Sequence, residues 1–309
     1  MKVIFMGTPE FAVPTLEKLI EHHEVIAVVS QPDKQKGRGK KVLMTPVKEK
    51  AVEHGLLVLQ PERARDEEFT AKLQELNPDV IVVVAYGQIL PESILNIPKY
   101  GCINVHGSLL PKYRGAGPIQ WAVLNGEKET GITTMYMGKG LDTGDMIDKV
   151  SMELDPKETA GSLHDKLMHQ GAQLLIETLE KLENYTAVRT KQNDQESSYA
   201  PMLTKEMGQI DFTKSAKEIE CLIRGLNPWP SAYTKLNGKV MKVWDADVKM
   251  WTGDEKPGTI VDITKKSIVV AAGENALELK EIQLAGKKRM QVQAFLLGYG
   301  VSVGTVLGE

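Results

Sequence analysis

Val80-Ile81-Val82-Val83-Val84 is an unbroken apolar run, closed by Ala85-Tyr86-Gly87. A strand with one wet face alternates apolar and polar residues. A run that is apolar on both faces predicts a central strand of a parallel sheet, covered on both sides. Working outward, Glu67 to Leu76 predicts a helix leading into it, and Val47 to His54 another leading to a strand at Leu57-Val58-Leu59. Val25–Val29 predicts a further strand. Val3-Ile4-Phe5-Met6 reads as the first strand, followed by Gly7-Thr8-Pro9 and an amphipathic helix carrying Phe11, Val13, Leu16, Leu19 and Ile20. Downstream, Ile103-Asn104-Val105 is one more strand. This alternation predicts an α/β fold with a Rossmann-like, doubly wound parallel sheet, whose ligands lie beyond the carboxyl ends of the strands.

A long helix from Ala160 to Leu182 is expected to close this first domain, residues 1–189. The polar stretch at 190–208, containing KQNDQESS, reads as a linker. From 209 to 309 the pattern changes to one helix, Ala216–Leu226, and short strands at Val240–Trp244, Gly258–Ile263, Ser267–Ala271 and Ala276–Ile282. Short strands parted by Gly and Asp/Asn turns predict a small OB-like β-barrel.

Composition narrows the class. Of 309 residues, 42% are apolar and 26% charged, with a net charge of −3. No apolar run approaches the roughly 18–20 residues of a membrane span, and the first residues lack the apolar core of a signal peptide. Cys102 and Cys221 each lie beside apolar residues and are expected as buried, reduced thiols, which points to the cytoplasm. No cluster of His and Cys has metal-ligand spacing, so no metal is expected. Gly7-Thr8-Pro9 lacks the Gly-x-Gly-x-x-Gly fingerprint of a dinucleotide site, which weakens a dehydrogenase reading. Positive charge is local: Lys34, Lys36, Arg38, Lys40, Lys41, Lys48 and Lys50 face one acid, Glu49, in that stretch, and Lys287-Lys288-Arg289 form a second cluster.

Chemistry gathers between Gly101 and Asp145. Asn104 and His106 are two apart on a strand, so their side chains share a face. Asp142 follows in a Gly-rich turn, with Asp145 as a competing carboxylate. An amide donor, an imidazole and a carboxylate can polarise a carbonyl and move a proton. An isolated Asn-x-His pair would equally serve to hold a loop. The run continues, however, as Gly107-Ser108-Leu109-Leu110-Pro111-Lys112-Tyr113-Arg114-Gly115, and later as Gly140-Leu141-Asp142-Thr143-Gly144-Asp145. Together these resemble the signature region of the 10-formyltetrahydrofolate-dependent transformylases.

That resemblance implies a formyltransferase fold, 10-formyltetrahydrofolate as the formyl donor, and Asn104, His106 and Asp142 as catalytic triad. It places Ser108, Leu109, Leu110 and Pro111 on the folate-contacting segment, and Gln88, Ile89 and Leu90 on the pterin side. An amine attacks the formyl carbon; Asn104 can donate to the resulting oxyanion, and His106 can do so as imidazolium or neutral tautomer. Asp142 can hold His106 and take the amine's proton through a water. An α-amino group, with a reference pKa near ~8, is partly neutral at pH 7 and needs no strong base.

Family members differ in the amine they formylate. The glycinamide ribonucleotide enzymes match one domain only. Sugar-nucleotide members, acting on a UDP-amino sugar, share HGSLLPKYRG and a segment like Asn227-Pro228-Trp229-Pro230. The basic loop with Lys34, Lys36, Arg38, Lys40 and Lys41 resembles the insertion of those members whose acceptor is initiator methionyl-tRNA. Arg38 is the residue expected at the acceptor stem, and Lys287, Lys288 and Arg289 at the tRNA backbone. A silent folate- or RNA-binding module would be expected to have lost part of the triad, which is intact. The reading is therefore a monomeric formyl-transferring enzyme with tRNA and folate as partners and no membrane.

Overall fold

The computed structural model describes residues 1–36 and 41–308. In chain order its first elements are β1 (Lys2–Gly7), α1 (Val13–His22), β2 (Glu24–Val29), β3 (Lys34–Lys36), β4 (Lys41–Leu43), α2 (Pro46–Glu53), β5 (Val58–Leu59), α3 (Glu67–Leu76), β6 (Val80–Val84), α4 (Glu92–Leu95), β7 (Cys102–His106), α5 (Pro118–Leu124), β8 (Glu129–Tyr136), β9 (Met146–Glu153) and α6 (Ala160–Glu183). Then follow α7 (Ala216–Gly225), β10 (Ala232–Leu236), β11 (Lys239–Lys249), β12 (Ile260–Ile263), β13 (Ile268–Ala271), β14 (Ala276–Leu284), β15 (Met290–Gln291) and α8 (Val292–Gly298). Packing divides the chain into two compact units. One comprises Met1–Gly115, Glu129–Met152 and His164–Ala200; the other comprises Ala116–Lys128, Glu153–Leu163 and Pro201–Glu309.

Among the described residues of the first unit, seven strands form a sheet in the order β5-β2-β1-β6-β7-β8-β9. The strands from β5 through β7 are parallel. Alternate residues explain the burial: Ile4 and Met6, Ala27 and Val29, Ile81 and Val83 pack on one face with Phe69 and Leu73 of α3 and Ile94 of α4. Val3, Phe5, Val82 and Val84 are buried as well, so β6 has no wet face. The strand β8 departs from the expected all-parallel sheet by running antiparallel to β7, with His106 opposite Thr133 and Ile103 opposite Tyr136. An antiparallel neighbour needs no crossover. The connection from His106 to Glu129 therefore starts and finishes at one sheet edge, the edge where β7 delivers its polar residues.

The second unit carries an antiparallel sheet ordered β10-β11-β14-β13-β12, with β15 beside β14. Its interior is filled by Met241, Val243 and Ala246 of β11, Leu277, Leu279 and Ile282 of β14, Ile219 and Ile223 of α7, and Phe295 of α8. β11 runs past Trp244, the expected end of this strand, because register shifts beside Asp245 let it bend and continue. The segment at 305–308 pairs with both flanks: Leu307 N–H donates to Gly258 O (2.8 Å) beside β12, and Gly308 N–H to Lys235 O (2.9 Å) in β10. Leu307 is buried in the same core. This closure makes the sheet a barrel. Among the described residues no helix is long and apolar enough to cross a membrane.

Candidate active site

The strand β7 ends in two side chains on one face, Asn104 and His106. His106 is 6% exposed. Its Nε2 lies 2.9 Å from the carbonyl oxygen of Tyr113. A carbonyl only accepts, so Nε2 carries the hydrogen, and Nδ1 is the nitrogen left for other work. Nδ1 faces Asp142 Oδ2 at 3.8 Å, beyond hydrogen-bond range. The expected donation to substrate by a neutral His106 is thereby narrowed: in the neutral ring the one N–H is already given to Tyr113.

Asp142 sits in the turn between β8 and β9 with φ +50°, a left-handed backbone that few non-glycine residues adopt. Its Oδ2 accepts the Gly115 N–H at 2.8 Å. The two backbone groups that orient the pair thus come from Tyr113 and Gly115, two residues apart. That tripeptide is itself pinned by the 190–200 segment, which composition read as a linker. Ser198 Oγ accepts the Tyr113 N–H (2.9 Å), Ser198 O accepts from Arg114 N (2.8 Å), and Arg114 O from Ala200 N (2.7 Å). Asn104 Oδ1 is buried and without a hydrogen-bond partner. An unmet buried acceptor costs about 1–3 kcal/mol, and at a strand's carboxyl end it marks a place for an incoming donor.

The residues expected to contact folate divide. Ser108 is buried; its Oγ donates to Lys112 O (2.7 Å), and its carbonyl accepts from Thr133 Oγ1 (2.7 Å), which in turn accepts the Leu110 N–H (3.1 Å). Leu110 packs with Met135 and Met146 in a small core, and Pro111 is also buried, so their side chains hold the loop. Leu109 is half-buried. Beyond β6, Ala85 and Gly87 have φ of +48° and +88°. Gln88 spends its amide on Ala64 N (2.7 Å) and Glu62 O (3.3 Å), while Leu90 is buried and Ile89 is 85% exposed. Tyr86 is buried with its hydroxyl unpartnered, and burial pushes its pKa up to about 12, keeping it neutral. Lys149 donates to Leu110 O; burial pulls its pKa below the usual lysine range, partly offset by Glu196.

Among the basic residues, Lys34 is exposed on β3. Lys36 and Lys41 are paired in register across the β3–β4 hairpin, while Arg38 and Lys40 lie outside the described residues. Lys287 and Lys288 are exposed. Arg289 is bonded to Glu281 and lies 4.9 Å over the Trp244 ring, which Lys242 also approaches at 5.5 Å. Part of the Arg289 charge is therefore neutralised within the fold.

Residues 1–179 match the family described as formyl transferase, and residues 202–300 match the formyl transferase C-terminal domain. The chain belongs to the formyl transferase family. Among the relatives it resembles, the methionyl-tRNA formyltransferase of Clostridioides difficile is 57% identical over 309 residues, and that of Alkaliphilus oremlandii 56% over 310, each pair covered end to end. Among solved structures, the sugar 3N-formyl transferase WlaRD superposes with a TM-score of 0.67 at 20% identity, covering 93% of this chain and 99% of that one. HypX from Aquifex aeolicus gives 0.64 at 17%, covering 98% of this chain and 49% of the other. At such identities the two structures share the formyl transferase fold with this chain, and nothing finer.

Residues that sequence reasoning left without a role at this candidate site are Tyr113 and Gly115, which act through backbone atoms, and Gln192, Ser198 and Ala200. The first two lie inside the quoted motif, where a role was there to be sought. The last three reach the site across a long stretch of chain and have no local signature.

Proposed function

We propose that the chain transfers the formyl group of 10-formyltetrahydrofolate to the α-amino group of initiator methionyl-tRNA, a reaction of the cytoplasm that yields N-formylmethionyl-tRNA. For the chemistry, the supporting observation is the buried His106 whose Nδ1 faces the Asp142 carboxylate, with Asn104, its Oδ1 unpartnered, two residues before it on the same strand. For the acceptor it is the end-to-end identity to relatives named for that substrate. The folate supplies the formyl group as donor substrate. The site suits it: Asn104 offers an unmet acceptor, Ile89 an open apolar surface, and the 85–90 and 108–111 loops a set of backbone groups for polar recognition.

Asn104 donates to the oxygen on which charge develops, and such a preorganised donor contributes about 10²–10³ in rate. His106 serves the same charge when Nδ1, the ring nitrogen that faces Asp142, carries a hydrogen. Asp142, once the amine attacks, takes its proton directly or through a water. Lys34, Lys287 and Lys288, exposed and unbranched, grip phosphates as point charges; Arg289, held by Glu281 and Trp244, adds a planar surface beside Lys287 and Lys288. Lys36, Arg38, Lys40 and Lys41 add the rest of the basic stretch, with Arg38 at the acceptor stem.

The test pairs purified protein and 10-formyltetrahydrofolate with charged initiator tRNA in one arm and a UDP-amino sugar in the other. Formylation of the tRNA alone is expected; formylation of the sugar alone would overturn the acceptor. Asn104→Ala, His106→Ala and Asp142→Ala should each lower kcat/KM by at least about tenfold to a hundredfold with thermal unfolding unchanged. Near-normal rates for the His106 and Asp142 variants would remove these residues from the chemistry.

A further inference from the structure

We propose that Gln192 is a positioning residue of the active site, holding the Asp142 turn in the backbone state from which its carboxylate faces His106. The inference rests on the reading that Asp142 acts with His106 in formyl transfer. The Gln192 amide Nε2 donates one hydrogen to Asp142 O (2.7 Å) and the other to Gly144 O (2.8 Å). Its Oε1 accepts from Arg114 Nε (2.9 Å). These bonds fix which end of the amide is nitrogen, because reversing it would set an oxygen against two carbonyls and a donor against a guanidinium. Arg114 is anchored in turn by Asp194 at 2.8 Å.

The turn needs such a brace. Asp142 holds φ +50°, and a strained backbone persists only where its surroundings over-determine it. Within the turn, Gly144 leaves no space for a side chain: a Cβ there would lie 1.7 Å from Tyr136 O. Glycine lets the chain pass, but the carbonyls of Asp142 and Gly144 still require donors, and one amide supplies both. The same Arg114 belongs to the Tyr113–Gly115 tripeptide that supplies the hydrogen-bond partners of His106 and Asp142. Gln192 therefore links the turn carrying the carboxylate to the tripeptide that orients both members of the pair. It touches neither imidazole nor carboxylate; its effect passes through the position of Asp142.

The experiment uses the full chain with Gln192→Glu, which removes both donors at constant size, and Gln192→Leu, which does so without charge. Steady-state kinetics on 10-formyltetrahydrofolate and methionyl-tRNA should show kcat reduced about tenfold or more, with KM for both substrates unchanged within about twofold. Exchange of the Gly115 amide hydrogen should quicken, since its acceptor has moved, while the thermal midpoint holds. Added to Asp142→Ala, either substitution should cause no further loss, because residues acting as one unit are non-additive. A wild-type kcat in both Gln192 variants, or a full multiplicative loss in the Asp142→Ala background, would overturn the inference. A fully active Asp142→Ala would instead remove the reading on which it rests, so the two failures are distinct.

Discussion

At Gly115 the backbone has φ +112°, and a Cβ there would lie 2.7 Å from the Tyr199 ring and 2.8 Å from the Ala200 carbonyl oxygen. Both the conformation and the space exclude a side chain, and the N–H at this position is the donor to Asp142. Gly115→Ala is therefore expected to cost about 1–3 kcal/mol in strain and to lower kcat/KM as the Asp142 bond is lost. Denaturant unfolding beside steady-state rates measures both, and an alanine variant of native stability and rate would show that the loop yields freely. Asn104 and His106 were legible as a pair because a strand's two-residue period puts them on one face whatever surrounds it. Asp142 was legible only through the length of its motif. The bond from Gln192 closes over a gap of 50 residues, and nothing near Gln192 in the sequence announces its partner.

Elements with a clear apolar pattern, continuous in β6 and amphipathic in α3, came through with their boundaries and span the expected residues. α5 is too short for its period to show. In β9 every residue after Met146 is exposed or half-buried, a weak apolar signal for a strand at the sheet edge. α7 was visible, and its start is fixed by a reciprocal capping box between Ser215 and Glu218. Its interior holds a less visible feature, Arg224 doubly bonded to the buried carboxylate of Glu220 and donating to Glu158 O at 2.8 Å. Burial pushes the Glu220 pKa up, yet hydrogen bonds and charge from Arg224 and Lys217 more than reverse this, leaving it below the ordinary value. Removing Arg224 leaves Glu220 with the more exposed Lys217 at 3.0 Å and Lys157 at 3.7 Å as counter-charges. Arg224→Met alone should therefore destabilise by no more than about 3 kcal/mol, the low end for a broken buried pair, and Glu220→Met with Arg224→Met by less. Urea midpoints of wild type and the two variants decide it; equal losses in the single and double variants would mean that the Glu220 carboxylate left without Arg224 carries no penalty.

For the molecule as a whole, a net charge of −3 concealed local basic surfaces, and composition alone could not place them. Composition did foresee two buried thiols, and both cysteines are free and buried. Burial raises the Cys102 thiol to about 12 and the Tyr86 hydroxyl to about 12. The folded state thus keeps both protons after the unfolded chain has released them. Stability should be unaffected at neutral pH and should fall as pH rises from about 9, where unfolded thiols titrate, toward about 12. The slope is at most about 1.4 kcal/mol per pH unit for each group. Denaturant midpoints from pH 7 to 11 measure it, and Cys102→Ala should flatten the lower part of the decline. A curve rising with pH in that range would contradict the burial of these groups.

The route of the chain between its two compact units has an outcome for inheritance. Residues 116–128 lie between two stretches of the sheet unit yet are packed with the barrel unit, as are residues 153–163. A Cβ added at Gly225 of α7 would come within 2.6 Å of the Leu124 side chain in α5, so these helices are fitted to one another. A gene broken near codon 200 would give an amino-terminal product whose α5 has lost the helix it packs on. Such halves cannot be traded between genes like beads on a string, and acquiring a new acceptor would have to proceed by substitution within both stretches of one reading frame.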